Sequence, residues 1–324
     1  MQEETVGSSS EGAVLARILR SLAGTSTAEV GPGDDAAVIA APDGRIVATT
    51  DTLVHGPDFR LAWSSGYDLG FKAAAVNLAD VAAMGARPTA LLVALAMPDS
   101  TPIAFVEAIA SGLRTACERL APDCAVEGGD LTASDTLTIA VTALGSLDGR
   151  DPVLRSGARV GDVVCVCGEL GAAGRGLALL FDRFRDVDGA PVPVDAADLS
   201  DAEQHDLAAQ LRPSPPVRTG GEAASAGATA MMDVSDGLVL DATRMALASG
   251  VTLALDPLDA DALTGGEDHA LLATFPPDLR PLPEGFRRIG LVIERGEHPV
   301  LVGGRAHDGR GGWDPYQDWD AGRG

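Results

Sequence analysis

Apolar positions follow two rhythms along this chain. Val14, Leu15, Ile18, Leu19 and Leu22 fall three and four residues apart, which predicts an amphipathic helix near the start. Two apolar runs, 36–40 and 45–50, flank Pro42-Asp43-Gly44 and predict a hairpin. An alanine-rich stretch over 67–84 suits a helix and 89–97 a strand, and a further helix opens at Ser100 with Pro102 in its first turn. Strands near 125–127 and 137–147 complete a first α/β half.

The pattern breaks into polar, Gly/Pro-rich sequence over 147–161, then restarts with a buried strand at 163–166 and a helix at 174–184. An acidic loop is expected at 185–200, and Arg212-Pro213-Ser214-Pro215-Pro216 is a second break. A strand at 228–232 leads into Asp233-Val-Ser-Asp-Gly237 and a helix ending at Ser249, and strands at 251–255, 270–275 and 289–293 close a second half. The expected fold class is α/β (α+β), in two domains, 1–150 and 151–324.

Composition narrows the function. With 46% apolar and 22% charged residues the chain can bury a core. A net charge of −23 argues against a nucleic-acid or membrane partner, both of which call for Lys and Arg. The most apolar window, 89–97, is bounded by Pro88 and Pro98, far short of a membrane span of ~20 residues. The acidic, polar start is unlike a signal peptide, so a cytoplasmic location is expected. Cys165 and Cys167 alternate in an apolar run and read as buried thiols on one strand face. No metal or disulfide is assigned to any of the four cysteines.

Carboxylates stand at element edges: Asp34-Asp35 before a strand, Asp51 after one, Asp80 late in a helix, Asp130 after Gly128-Gly129, and Asp233 with Asp236. Each alone is an ordinary turn residue. Converging at one sheet edge, they would repel one another and stay protonated unless cations bind. Such oxygen ligands suit Mg²⁺, which keeps waters and is completed by substrate phosphates. No G-x-x-x-x-G-K-[ST], G-x-S-x-G or H-E-x-x-H motif is present, and Gly171 to Gly176 is a weak glycine-rich match. Lys72 is the only lysine, its role open between structure and phosphate binding; no histidine is proposed as a base.

Seven segments together resemble the thiamine-monophosphate kinase family, of the superfamily with aminoimidazole ribonucleotide synthetase. They are GPGDDAAVI (31–39), TTDTLV (49–54), FKAAAVNLADVAAMGARP (71–88), EGGDLT (127–132), RSGARVGD (155–162), MDVSDGL (232–238) and GGEDHALL (265–272). The resemblance implies Mg²⁺ bound by Asp35, Thr49, Thr50, Asp51 and Asp80. It further implies contacts to ATP and metal from Gly129, Asp130, Arg155, Asp233, Ser235 and Asp236, and contacts to thiamine phosphate from Glu267 and Trp313. Three positions depart from the family pattern. Asp58 stands where a substrate-contacting His is usual, Pro216 replaces an Arg, and GGEDHAL replaces GGEDYEL.

The family fold implies a first half that pairs with its copy in a homodimer to form a shared barrel. The implied reaction is in-line transfer of the γ-phosphoryl group of ATP to thiamine monophosphate. That acceptor, with a second pKa near ~6, is already largely dianionic at neutral pH and needs no general base. The alternatives are another ATP-using enzyme of the superfamily, aminoimidazole ribonucleotide synthetase above all, and a non-catalytic Mg²⁺/nucleotide-binding protein.

Overall fold

The computed structural model describes residues 4–29, 37, 39–307, 309 and 311–312. In the first half, α1 (Glu11–Ser21) is capped by Ser10, whose side chain accepts from Ala13 N, and buries Val14. A four-stranded sheet follows from β1 (Val47–Val54), β2 (Arg87–Met97), β3 (Ala125–Ala133) and β4 (Thr138–Ser146), in the order β1-β4-β2-β3. β4 runs antiparallel to both β1 and β2, and β3 is parallel to β2.

Two helices, α2 (Gly66–Ala83) and α3 (Ile103–Leu120), cover one face of this sheet. A reciprocal Ser65–Asp68 capping box starts α2, which is buried almost all round. Its alanine richness follows, since small side chains let it lie close to α3, the sheet and the second half at once. Thr50, Thr52 and Ala94 are exposed on the opposite face of the sheet.

The second half is built on β5 (Val163–Cys167), β6 (Ala230–Val234), β7 (Thr252–Leu255), β8 (Ala270–Phe275), β9 (Phe286–Ile293), β10 (Val300–Val302) and β11 (Arg305–Ala306). Their order is β11-β10-β7-β9-β5-β8-β6, antiparallel throughout except for β10 beside β7. Around it lie α4 (Ala172–Arg183), α5 (Asp201–Leu211), α6 (Val217–Ser225), α7 (Leu238–Ser249) and α8 (Ala260–Thr264). Cys165 and Cys167 pack with Met231 and Phe275 on one side of the sheet, while Val164 and Val166 join Leu253 and Leu272 on the other. The alternation read from the sequence holds.

Four local expectations change, and a fifth falls partly outside the described residues. Arg45 to Thr50 contributes to β1, which pairs with β4 some ninety residues on, while residues 36 and 38 of the run expected to form its hairpin lie outside the described residues. Asp51 sits in the middle of β1 and not after a strand, and β3 continues through Gly128-Gly129-Asp130. Pro102 is the N-cap of α3, so the helix opens at Ile103. Helices α5 and α6 have no counterpart among the predicted elements. α6 follows directly on Pro215-Pro216 and contains Gly220-Gly221, a poor helix signal overridden by tertiary packing against α2.

Candidate active site

The edge strand β1 and helix α2 bring their polar residues face to face. Thr49 Oγ1 donates to Asp80 Oδ2 at 2.8 Å, and the backbone N–H of Asp51 donates to Asn77 Oδ1 at 3.1 Å. Asn77 is fully buried and is held in turn by donating to Ala73 O at 2.9 Å. From the second half, Asp233 at the end of β6 joins the two acids. Burial, then the charges of Asp233 and Asp51, push the Asp80 carboxyl up to about 7. Asp51 is raised as well, by burial first and by Asp233 among its neighbours, against a lowering influence of His269. The two halves of the chain therefore meet at a cluster of mutually repelling carboxylates.

Two loops of the second half close on this cluster. Asp241, fully buried in the first turn of α7, reaches back to accept from Ser235 N at 3.1 Å and Asp236 N at 3.0 Å, fixing the Asp233-Val-Ser-Asp turn. Burial and the charge of Asp233 raise Asp241 to about 6. Arg244 Nη1 bridges Asp241 Oδ1 and Asp236 Oδ2, each at 2.6 Å. The Gly265-Gly266-Glu267 turn lies flush on this loop. Glu267 N donates to Ser235 O at 2.7 Å, and a Cβ on Gly266 would stand 2.5 Å from the same carbonyl.

Glu267 forms an ion pair with Lys72 of α2, whose ammonium also donates to Gln210 O at 3.2 Å. Burial raises the Glu267 carboxyl, and the Lys72 and His269 charges outweigh it, leaving the group below its ordinary value. Asp268 accepts from Gly171 N at 2.6 Å and Ala173 N at 2.9 Å, tying the start of α4 to the same turn. His269 is buried, with Nδ1 3.1 Å from Asp233 Oδ2.

Beside these loops opens a cavity of about 560 Å³, lined by Lys72, Ser235, Asp236 and Glu267 on one side and by Trp63 and Phe181 on another. The two rings meet edge to face with centroids 5.0 Å apart, and Trp63 Nε1 donates to Phe184 O at 2.9 Å. Arg60 lies 5.9 Å over the Trp63 ring and Arg185 lies 5.5 Å over the Phe181 ring.

The structure thus gathers Thr49, Asp51, Asp80 and Asp233 in one cluster between the halves, and Ser235, Asp236 and Glu267 on the wall of the neighbouring cavity. Asp58 lines the same cavity, but its Oδ2 accepts from Val54 N at 2.7 Å and so braces its own loop. Thr50 is not brought in through its side chain. It alternates to the open face of the sheet, where its hydroxyl donates to Val141 O at 3.0 Å. Gly129 and Asp130 lie on β3, three strands from β1, or roughly 14 Å away within one chain. A Cβ on Gly129 would stand 2.1 Å from Val93 O, so this glycine also serves close strand packing. Arg155 is exposed, and its backbone carbonyl accepts from Ser249 Oγ at 2.9 Å. Asp35 and Trp313 lie outside the described residues; Gly312 packs against Asp236, where a Cβ would meet the Asp236 carbonyl at 2.3 Å. Among the described residues no group of three or more His, Cys, Asp and Glu side chains is placed to hold a metal ion unaided.

Lys72, Asn77, Asp241, Arg244, Asp268 and His269 all take part in the site without having been assigned to it from the sequence. Lys72 carried one signal, its uniqueness in an arginine-rich chain. Asn77, Asp268 and His269 lie in the quoted motif segments, whereas Asp241 and Arg244 carried no signal, because they act through contacts that spacing does not encode.

A two-half α/β chain with an acidic cluster where the halves meet, next to loops that line a cavity, belongs to a class of fold suited to binding phosphates through cations. Residues 33–147 match the family model described as AIR synthase related protein, N-terminal domain. A thiamine-monophosphate kinase of Mycobacterium tuberculosis is 42% identical over 330 residues, covering 96% of this chain and 92% of the relative. The crystal structure of thiamine-monophosphate kinase from Stenotrophomonas maltophilia K279a superposes with a TM-score of 0.77 at 31% identity, covering 92% of this chain and 98% of that one. The structure of AaThiL complexed with AMPPCP and TMP gives 0.72 at 30% identity, covering 93% and 96%. The chain belongs to the thiamine-monophosphate kinase family.

Proposed function

We propose that this protein transfers the γ-phosphoryl group of ATP to thiamine monophosphate, giving ADP and thiamine diphosphate by direct in-line displacement. One observation carries the reading: the Asp51–Asp80–Asp233 cluster, shared between the two halves, stands beside a cavity with an aromatic wall and the Lys72–Glu267 pair. A relative of 30% identity bound to AMPPCP, an ATP analogue, and TMP supports the pairing of substrates.

Mg²⁺ fits these residues. An Asp80 carboxyl held up to about 7 by burial and like charge is a site short of positive charge. Its sparse donors leave room for the phosphate oxygens and waters that Mg²⁺ keeps. Asp35, Thr49, Thr50, Asp51, Asp80, Asp130, Asp233 and Asp236 are the proposed ligands, with Thr50 limited to its backbone. Held by these residues, Mg²⁺ would supply positive charge that offsets the repulsion between donor and acceptor phosphates.

The chain's own groups do the rest. Ser235, Gly129, Asp130 and Arg155 are assigned to ATP, and Glu267, Asp58 and Trp313 to thiamine phosphate. Lys72 holds Glu267 in place, Asp241 holds the Ser235–Asp236 turn, and Phe181, packed on the buried Trp63, offers a ring face to a heteroaromatic substrate. No proton need be abstracted from a dianionic acceptor.

In the same reading residues 1–150 form the ATP/Mg²⁺-binding and dimerisation domain, residues 151–324 the second domain, and the enzyme works as a cytoplasmic homodimer. The exposed Thr50, Thr52 and Ala94 face and the unpaired outer edges of β1 and β3, among the described residues, support a sheet completed by a second copy. A coupled assay of ADP release tests the function. Thiamine monophosphate should drive turnover and an aminoimidazole precursor should not; the reverse preference would overturn the assignment.

A further inference from the structure

His269 occupies the position where the family pattern usually has Tyr, and the site described above gives it no substrate contact. It is 6% exposed and stands one residue before β8, directly beside the end of β6. Its N–H extends the ladder by donating to Val234 O at 3.1 Å. Its backbone is left-handed, with φ of 53°, as is that of Glu267 at 73°. Such a conformation is unfavourable for both residue types and persists where surrounding contacts hold it. Here the turn delivers Glu267 to the cavity and the imidazole to Asp233.

The hydrogen-bond chemistry is directional. A carboxylate can only accept, so the 3.1 Å contact puts a proton on Nδ1 of His269, donated to Oδ2 of Asp233. That occupies one oxygen of Asp233 and leaves the other available. Nε2 has no partner among the described residues although it is buried. A phenyl or phenol ring would fill this space without a stranded ring nitrogen, so packing alone does not account for an imidazole.

We propose that His269 is a positioning residue, which fixes the rotation of the Asp233 carboxylate so that its free oxygen faces the nucleotide-bound cation. The inference rests on the Mg²⁺·ATP reading of the site and deepens it. Outer partners of this kind orient ligating carboxylates, and their loss typically weakens metal binding by about 10–100-fold. Lys72 and Glu267 do not substitute for it, because their pairing is with each other.

Three variants of the full-length protein separate the donor from the packing. In His269→Asn the side-chain amide stands near the Nδ1 position and can still donate to Asp233. In His269→Gln the amide stands near Nε2, and in His269→Phe no donor remains. Mn²⁺ binding is measured by electron paramagnetic resonance with a non-hydrolysable ATP analogue present, alongside melting temperature and the Mg²⁺ dependence of turnover. The Phe and Gln variants should bind Mn²⁺ about 10–100-fold more weakly, with a matching rise in half-saturating Mg²⁺. The Asn variant should stay within about threefold of wild type, and KM for thiamine monophosphate should hold in all three. The Asn–Gln comparison remains decisive if the Phe variant fails to fold. The Mn²⁺ titration is read whether or not thiamine monophosphate is phosphorylated, so a failure of the substrate reading leaves this test intact. Unchanged Mn²⁺ affinity in Gln and Phe, or equal loss in Asn and Gln, would overturn the proposal.

Discussion

Lys72, the only lysine of the chain, pairs across the two halves with Glu267 on the left-handed turn between α8 and β8. The ammonium is almost wholly enclosed, at 6% exposure, whereas the carboxylate is 43% exposed toward the cavity. The pair therefore behaves less as a surface ion pair than as a strut, with a buried cation holding a substrate-facing anion.

Lys72→Met should expose what that strut supplies. Breaking a fully buried pair costs ~3–5 kcal/mol, and the partial exposure of Glu267 reduces the expected loss here to about 1–3 kcal/mol. Lys72→Arg should not restore it, since a planar fork does not fit a pocket shaped for a compact ammonium. The depressed Glu267 carboxyl also sets the sign with pH. Its stabilisation is present above a glutamate's ordinary 4.5 and disappears as pH falls through its lower folded value. The melting-temperature deficit of Lys72→Met should thus be full at pH 7 and shrink in acid. A constant deficit across pH 3 to 7 would contradict the strut.

Asp80→Asn should stabilise the metal-free protein while abolishing turnover. In the fold the Asp80 carboxyl is raised to about 7, so above that pH the charged form is disfavoured relative to the unfolded chain. The penalty is complete above about 7 and fades as pH falls to 3.8, below which both states are protonated. An amide escapes it and can still accept from Thr49 Oγ1. In chelator at pH 8 the variant should melt higher than wild type, with no difference near pH 4. Added Mg²⁺ should raise the wild-type melting temperature more than that of the variant, and turnover of Asp80→Asn should fall by orders of magnitude. A lower melting point in chelator at pH 8 would reject the repulsion account.

How far the sequence discloses this site depends on what each residue does. Asp51, Asp80, Asp233 and Glu267 were legible as candidates because each stands in one of the quoted motif segments, TTDTLV, NLAD, MDVSDGL and GGED. Asp241 was not, since it acts inward on the backbone of Ser235 and Asp236 and looks like any acid in a helix's first turn. His269 stood out as a departure from the family pattern, but its partner did not: a single histidine has no spacing to betray a contact thirty-six residues away. The fold shows the same limit. The period-two alternation at Cys165 and Cys167 is local and read correctly, whereas the pairing of β1 with β4 joins residues some ninety positions apart, which no local pattern encodes.

Dimerisation has its own test. If a second copy completes the first-half sheet, light scattering at micromolar concentration should return twice the chain mass of 32.9 kDa. Thr50→Arg together with Thr52→Arg, on the exposed face of β1, should shift the protein toward monomer. An active wild-type monomer would refute the shared barrel. Because Asp130 stands roughly 14 Å from β1 in one chain, a cross-subunit role for Asp130 predicts that the monomerised variant loses ATP affinity along with assembly.

The last prediction concerns which aromatic ring holds the substrate. Phe181 is 39% exposed in the cavity wall, beside a Trp63 whose indole is buried and hydrogen-bonded to Phe184 O, so Phe181 is the ring with a face to offer. Trp313, outside the described residues, is the other candidate and follows Gly312, which packs on Asp236. Thiamine carries a thiazolium cation and an aminopyrimidine, and contact with an aromatic face is worth ~0.5–2 kcal/mol, about twofold to thirtyfold in affinity. Such a contact is equally strong in ground and transition states, so its loss should raise KM and leave kcat alone. Phe181→Ala and Trp313→Ala are compared, with Leu247→Ala as an exposed apolar control on α7 away from the cavity. The variant that removes the stacking ring should raise KM for thiamine monophosphate within that range and spare KM for ATP. A fall in kcat with unchanged KM in Phe181→Ala would mean that the wall shapes the reacting geometry and does not grip the ring.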